Sequence, residues 1–169
     1  MRRMLPLLSL STLLLPGVVQ AAGTSPNHIN KVRFDVHADL GGYASVGAGF
    51  RADIGILPNG LLAKADDELA ISLGADVFFA NLYQDYYDGG PYIAPVAVAQ
   101  WSFFLGPDWS IFPEAGISFY VGDPDFLPRG LPVYATLALG FGARYHFSSR
   151  NALLLRVSRP AGLQIGVTF

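Results

Sequence analysis

The 169-residue sequence predicts an all-β chain, an eight-stranded antiparallel up-and-down transmembrane β-barrel. Three observations carry this. Apolar and polar side chains alternate in eight runs, and period two places successive residues on opposite faces of a strand. One face of those runs is free of charge, whereas the other holds arginines and carboxylates among small residues. Finally, 51% of residues are hydrophobic, yet no apolar run after residue 22 approaches the length of a membrane helix. Alternating membrane strands produce that combination.

The chain begins with a basic pair, Arg2 and Arg3, followed by a leucine-rich run from Leu5 to Val19 and the small-residue site Val19-Gln20-Ala21. This pattern predicts a secretory signal peptide over residues 1–21, because the run is too short to span a bilayer. Residues 22–30 form a polar lead-in, and residues 31–169 form the barrel, one domain by length. With no cysteine there is no disulfide framework and no lipid-carrying thiol. Loss of Arg2 and Arg3 takes the net charge from −2 to about −4, which argues against nucleic-acid binding.

The first strand, Lys31 to Leu40, sets Val32, Phe34, Val36, Ala38 and Leu40 against Lys31, Arg33, Asp35, His37 and Asp39. Gly41-Gly42 ends it. In the second, Ala44 to Ile56, the even-numbered residues are apolar, and Arg51 and Asp53 lie opposite them among glycines. Leu57 to Asp67 is a connection with Pro58-Asn59-Gly60 and one expected helical turn. The third strand sets Leu69 through Phe79 against Ala70, Ser72, Gly74, Asp76 and Phe78.

After a Tyr/Asp/Gly loop at 80–91, the fourth strand, Tyr92 to Leu105, is apolar on both faces, and odd-numbered residues are assigned outward. Gly106-Pro107-Asp108 turns into a fifth strand, in which Trp109 through Val121 oppose Ser110, Phe112, Glu114, Gly116, Ser118 and Tyr120. A Pro/Asp loop at 122–131 precedes the sixth strand, Val133 to Phe147, with Arg144 and His146 on its polar face. Ser148-Ser149-Arg150 leads to a seventh strand carrying Arg156 opposite Leu153, Leu155 and Val157. Arg159-Pro160-Ala161 leads to the eighth, where Leu163, Ile165, Val167 and Phe169 alternate with Gln164, Gly166 and Thr168. Pro95 and Pro113 fall inside strands and cannot donate to a ladder, so a bulge or local disorder is expected there.

The apolar face holds the bulky residues and the polar face the small ones. An eight-stranded interior is narrow, so the charged, small face belongs inside and the apolar face in lipid. A soluble carrier barrel with an apolar cavity, the rival reading, would need the reverse. Turn parity agrees, because a one-residue slip flips every side chain and three-residue loops keep these faces matched. Leu40 pairs with Ala44, Leu105 with Trp109, Phe147 with Asn151 and Ser158 with Gly162. That register sets Arg33 opposite Arg51, with Asp35, Asp53 or Asp76 as the expected neutralising carboxylates. Trp101, Phe103, Trp109, Tyr145, Phe147 and Phe169 gather toward one rim as an interfacial girdle. Tyr83, Tyr86, Tyr87, Tyr92, Phe119, Tyr120 and Tyr134 gather toward the other.

The stretch Gly162 to Phe169 resembles the C-terminal signal strand of Gram-negative outer-membrane β-barrels, and residues 31–169 resemble the small eight-stranded members, the OmpA transmembrane-domain and OmpX class. The resemblance implies Sec-type export, residence in the outer membrane and recognition of Leu163, Ile165, Val167 and Phe169 by the barrel-assembly machinery. It also implies contact with outer-membrane lipids and lipopolysaccharide, and a monomer. The chain departs from that class in its long connection at 57–67 and in its short first and last external loops.

The polar face carries Arg33, Asp35, His37, Asp39, Arg51, Asp53, Asp76, Glu114, Arg144 and Arg156. Near sign balance in a narrow bore predicts a structural ion-pair network, because unpaired buried charge is costly. His146 and Ser148 form an H-x-S pair similar to the catalytic pair of outer-membrane lipid A deacylases. An inward-facing histidine at a periplasmic turn does not suit a lipid-facing reaction, so no catalytic residue is expected. His28, His37 and His146 have no ligand spacing, so no metal site or cofactor is expected. Asp85, Asp88, Asp123 and Asp125 are expected as solvated loop acids.

Overall fold

A computed structural model describes residues 28, 32–41, 45–81, 91–122 and 133–169. Eight strands follow in order: β1 (Val32–Leu40), β2 (Ser45–Leu57), β3 (Asp67–Asn81), β4 (Tyr92–Phe104), β5 (Trp109–Gly122), β6 (Val133–His146), β7 (Ala152–Arg159) and β8 (Gly162–Thr168). They close into one barrel with every neighbour antiparallel, and among the described residues there is no helix. Closure joins β1 to β8, where Val36 lies opposite Val167. Beyond the last strand residue, Phe34 and Phe169 exchange both backbone hydrogen bonds at 2.9 and 2.8 Å. A closed barrel leaves no strand edge unpaired, as a chain surrounded by lipid requires.

The alternation read from the sequence is the alternation of exposure. In β1 each residue from Val32 to Leu40 switches between exposed and buried, and β7 repeats the pattern. Bulky side chains point out: Phe50 is 56% exposed, Leu139 47% and Val157 60%. Charged side chains point in, and Arg51, Arg144 and Arg156 are each at most 1% exposed. Strand β4 follows the odd-outward phase, with Ala94, Val96, Val98 and Gln100 buried. The lumen is therefore packed with ions and amides rather than with a leucine core, which is the inverse of a water-soluble domain.

Three of the four tight turns have the expected pairing. Leu105 N–H donates to Trp109 O at 2.8 Å, Phe147 N–H to Asn151 O at 3.2 Å, and Ser158 lies opposite Gly162. The first hairpin differs. Leu40 lies opposite Val46, and Gly41 N–H donates to Ser45 O at 2.7 Å, so the strands slide by two residues. The slide sets Arg33 opposite Asp53 and Asp35 opposite Arg51, in place of the expected Arg33–Arg51 pair. Like charges directly opposite destabilise a sheet and opposite charges stabilise it, so electrostatics selects this register from those that parity allows.

The prolines produce no bulge. The β4–β5 register is continuous from Ile93–Val121 to Phe103–Ile111, and only the pairs around Pro95 and Pro113 drop out of that ladder. Ser118 Oγ donates to the Pro95 carbonyl at 3.0 Å, which gives that oxygen a partner where the ladder is interrupted. The register does shift in β2–β3, at Val46/Gly47 and at Gly55/Leu57. The connection between these strands is a series of turns with no helical turn. Asp67 organises it, accepting from Leu61 N–H at 2.8 Å, Leu62 N–H at 3.3 Å and Trp101 Nε1–H at 2.6 Å. Its Gly60 has φ +66°, a left-handed conformation in which a side chain would be strained.

The signal-peptide range 1–21, residues 29–31 of the lead-in and first strand, Ala44, and the loops with Asp85, Asp88, Asp123 and Asp125 lie outside the described residues. So do Tyr83, Tyr86 and Tyr87.

Candidate functional site

Ten polar-face residues singled out by alternation all line the lumen, and each is buried. Their contacts run across the bore as well as along the wall. Near the middle, Arg51 of β2 reaches Glu114 of β5, donating from Nη1 at 3.0 and 3.2 Å. Arg156 of β7 donates from Nη2 to Asp35 of β1 at 2.9 Å and lies 3.4 Å from Glu114 through Nε. Gln164 accepts from both arginines, at 3.3 Å from Arg51 and 3.1 Å from Arg156. Such charge-assisted bonds across a narrow bore pull opposite walls together.

Toward the end where β1 begins and β8 finishes, Arg144 of β6 donates to Asp53 of β2 at 2.7 Å and to Gln100 at 3.1 Å. Its guanidinium sits 4.2 Å from the centre of the Phe112 ring, a cation–π contact within dry surroundings. Arg33 lies 3.7 Å from Asp53 and donates to Glu68 at 3.5 Å. Glu68 is a lumen carboxylate outside the expected set, because the run of alternation is counted from Leu69 whereas β3 starts at Asp67. Its even number in a strand whose even residues face inward was the available signal.

Toward the opposite end, His37 holds Asp35 Oδ1 at 2.7 Å through Nδ1 and Asp76 Oδ1 at 2.8 Å through Nε2. Asp39 Oδ1 lies 3.6 Å from the same Nε2 and accepts from Gln164 Nε2 at 2.7 Å. Of the carboxylates expected to neutralise Arg33 and Arg51, Asp53 lies 3.7 Å from Arg33 but is held closer by Arg144, whereas Asp35 pairs with Arg156. Asp76 approaches Arg51 only at 3.8 Å and belongs mainly to His37.

Among the described residues, aromatic rings stack at both ends of the lumen. At the His37 end Phe78 stacks on Tyr92 with centroids 4.7 Å apart, and Tyr92, Tyr120 and Tyr134 continue the row at 5.5 and 4.7 Å. These rings occupy even, inward positions, so this group is chiefly a lumen stack, with Phe119 the outward member. Ala161, in the β7–β8 turn, packs onto Phe78. At the other end His28 stacks on Phe104 at 4.4 Å, with its Nδ1 on the Pro58 carbonyl and its Nε2 2.6 Å from Asp66 Oδ1. The outward girdle there is formed as expected, with Trp109 against Tyr145 at 5.0 Å and Trp101 against Phe103 at 4.7 Å.

The H-x-S pair does not form a dyad. His146 Nε2 shares a hydrogen bond with Ser110 Oγ at 2.9 Å inside the lumen. Ser148 Oγ accepts the turn N–H groups of Arg150 and Asn151 at 3.3 and 3.0 Å. Leu163, Ile165 and Val167 alternate outward along β8, and Phe169 lies 6.3 Å from Phe34, ring to ring.

No family model matches the sequence, and no curated protein does. The fold does have a counterpart among solved structures, from work titled "De novo design of transmembrane beta-barrels". The superposition has a TM-score of 0.53 at 13% identity and covers 84% of this chain and 98% of the designed one. Likeness at that identity shows the fold alone: a closed eight-stranded barrel of transmembrane type.

Proposed function

We propose that this chain is an integral barrel of the Gram-negative outer membrane, exported by a Sec-type signal, with a plugged polar interior. Its role in this reading is envelope integrity or interaction at the cell surface. One observation carries the reading, the inversion of burial. Arg51, Arg144 and Arg156 are enclosed while Phe50, Leu139, Leu155 and Ile165 ring the outside. An apolar belt on this scale far exceeds the few hundred Å² of contiguous apolar patch typical of soluble monomers. The same inversion opposes the carrier reading, since a lumen lined by ions offers no cavity for an apolar ligand.

The outward phase of Leu163, Ile165, Val167 and Phe169, on the strand that closes the barrel, supports recognition by the assembly machinery. Lipid and lipopolysaccharide are the partners of the outer face, and the protein acts as a monomer. No enzyme activity or cofactor enters the proposal. His146 is committed to Ser110 and turned away from lipid, which supports leaving lipid A chemistry out.

Membrane fractionation with heat-modifiable gel mobility tests the reading. A folded band that migrates differently after boiling and resists carbonate extraction is expected. A protein released by carbonate and indifferent to heating would end it. Planar-bilayer recording tests the plug: the ion pairs and the ring stacks at either end predict no stable open channel, and large lasting conductances would contradict them.

A further inference from the structure

We infer that His37, Asp39 and Asp76 form a binding site for a divalent transition metal of the zinc type, just inside the tyrosine-lined mouth. One ligand atom from each of the three lies within 4.8 Å of the others, and all three residues are buried. The site is assembled from two strands. His37 and Asp39 stand two apart on the lumen face of β1, and Asp76 reaches them from β3 across Gly49 of β2. Gly49 lies opposite both His37 and Asp76, and a Cβ there would collide with His37 Nε2 and Asp76 Oδ1. The wall is cut back where the ligand atoms converge.

Two independent observations point to a cation. Asp39 is 1% exposed, and its Oδ2 has no hydrogen-bond partner among the described residues. An orphaned carboxylate oxygen in a closed lumen is costly unless a positive group meets it. The second is where the unmatched charge falls. Among the described residues the lumen holds four arginines and six carboxylates, namely Asp35, Asp39, Asp53, Glu68, Asp76 and Glu114. Arginine contacts at 3.5 Å or less go to Glu114, Asp35, Asp53 and Glu68. Asp76 meets an arginine only at 3.8 Å, and no arginine is paired with Asp39 among the described residues; both face Nε2 of His37.

The imidazole is also oriented as a ligand. Nδ1 faces Asp35 Oδ1 at 2.7 Å, and Asp35 is in turn held by Arg156. A carboxylate on the far nitrogen holds the ring with Nε2 turned toward Asp39 and Asp76. Imidazole with carboxylates suits zinc-class ions rather than magnesium or calcium. On binding, M²⁺ takes the place of the proton shared between Nε2 and Asp76 Oδ1, and that proton passes to solvent. Two carboxylates, a neutral imidazole and a dication then leave the site without net charge. None of this depends on which solvent surrounds the barrel.

The test uses the untagged mature chain, folded in detergent micelles and stripped with chelator. Titration with Co²⁺ is expected to give one saturable equivalent with visible d–d absorption that Zn²⁺ displaces. Asp39→Asn and Asp76→Asn are each expected to weaken uptake at least about tenfold, with heat-modifiable mobility retained. Nitrogen NMR of the wild-type imidazole supplies a reading that needs no variant, since Zn²⁺ should remove the Nε2–H signal and keep Nδ1–H. No saturable uptake by the folded wild type, uptake by both variants as strong as that of the wild type, or both ring N–H signals persisting with Zn²⁺ would overturn the proposal.

Discussion

Phe141→Arg probes the inversion of burial within the apolar belt. Phe141 lies inside β6, opposite Pro113 of β5 and Val157 of β7, and its side chain is outward and 54% exposed. If that face meets hydrocarbon, an arginine there costs ~2–4 kcal/mol, and the cost falls to about 0–1 kcal/mol near the interface. Val133→Arg is the depth control, because Val133 is also outward, 51% exposed, but stands at the first position of the same strand. At about 1.4 kcal/mol per decade, the belt substitution should shift the folding equilibrium in lipid vesicles roughly 30- to 700-fold. The rim substitution should shift it less than about tenfold. Urea titration followed by gel mobility reads both. Were the exterior in water, both substitutions would fall within about 0.5 kcal/mol of wild type. Equal and small effects at the two depths would refute the lipid-facing assignment.

Other outcomes follow from the lumen. Arg144→Leu leaves Asp53 with only the 3.7 Å approach of Arg33, and should cost about 3–5 kcal/mol in the same titration. Replacing Asp53 by Leu as well should recover part of that loss, and an additive double variant would argue against a coupled pair. Gly49→Ala should cost about 1–3 kcal/mol by forcing His37 and Asp76 apart, whereas Gly106→Ala, whose Cβ meets open space, should bear only the strain of its positive φ. Chemical denaturation would compare them, and a neutral Gly49→Ala would mean the wall there is not tight.

Much of the fold was legible because its strongest signal, period-two alternation, is local. Even β4, apolar on both faces, has the assigned odd-outward phase, which the three-residue turn to Trp109 supports. The first hairpin was not legible in the same way. Parity distinguishes the two faces but not a slide of two residues, so Leu40–Ala44 and Leu40–Val46 are equivalent to the pattern. The choice lies in whether Arg33 meets Arg51 or Asp53, and that criterion was present in the sequence. The ion pairs are harder still. Arg51–Glu114 and Arg144–Asp53 join strands that are not neighbours, so ladder register says nothing of them. The triad around His37 escaped histidine spacing for the same reason, since its third member stands on β3.

Because the chain has no cysteine, single cysteines can be introduced one at a time without background. Labels at each position from 135 to 143 of β6, challenged with a quencher carried in the bilayer, test the central claim most directly. The account predicts strong quenching at the odd positions Ala135, Leu137, Leu139, Phe141 and Ala143, and protection at the even ones between them. The opposite phase, or no period of two, would contradict it.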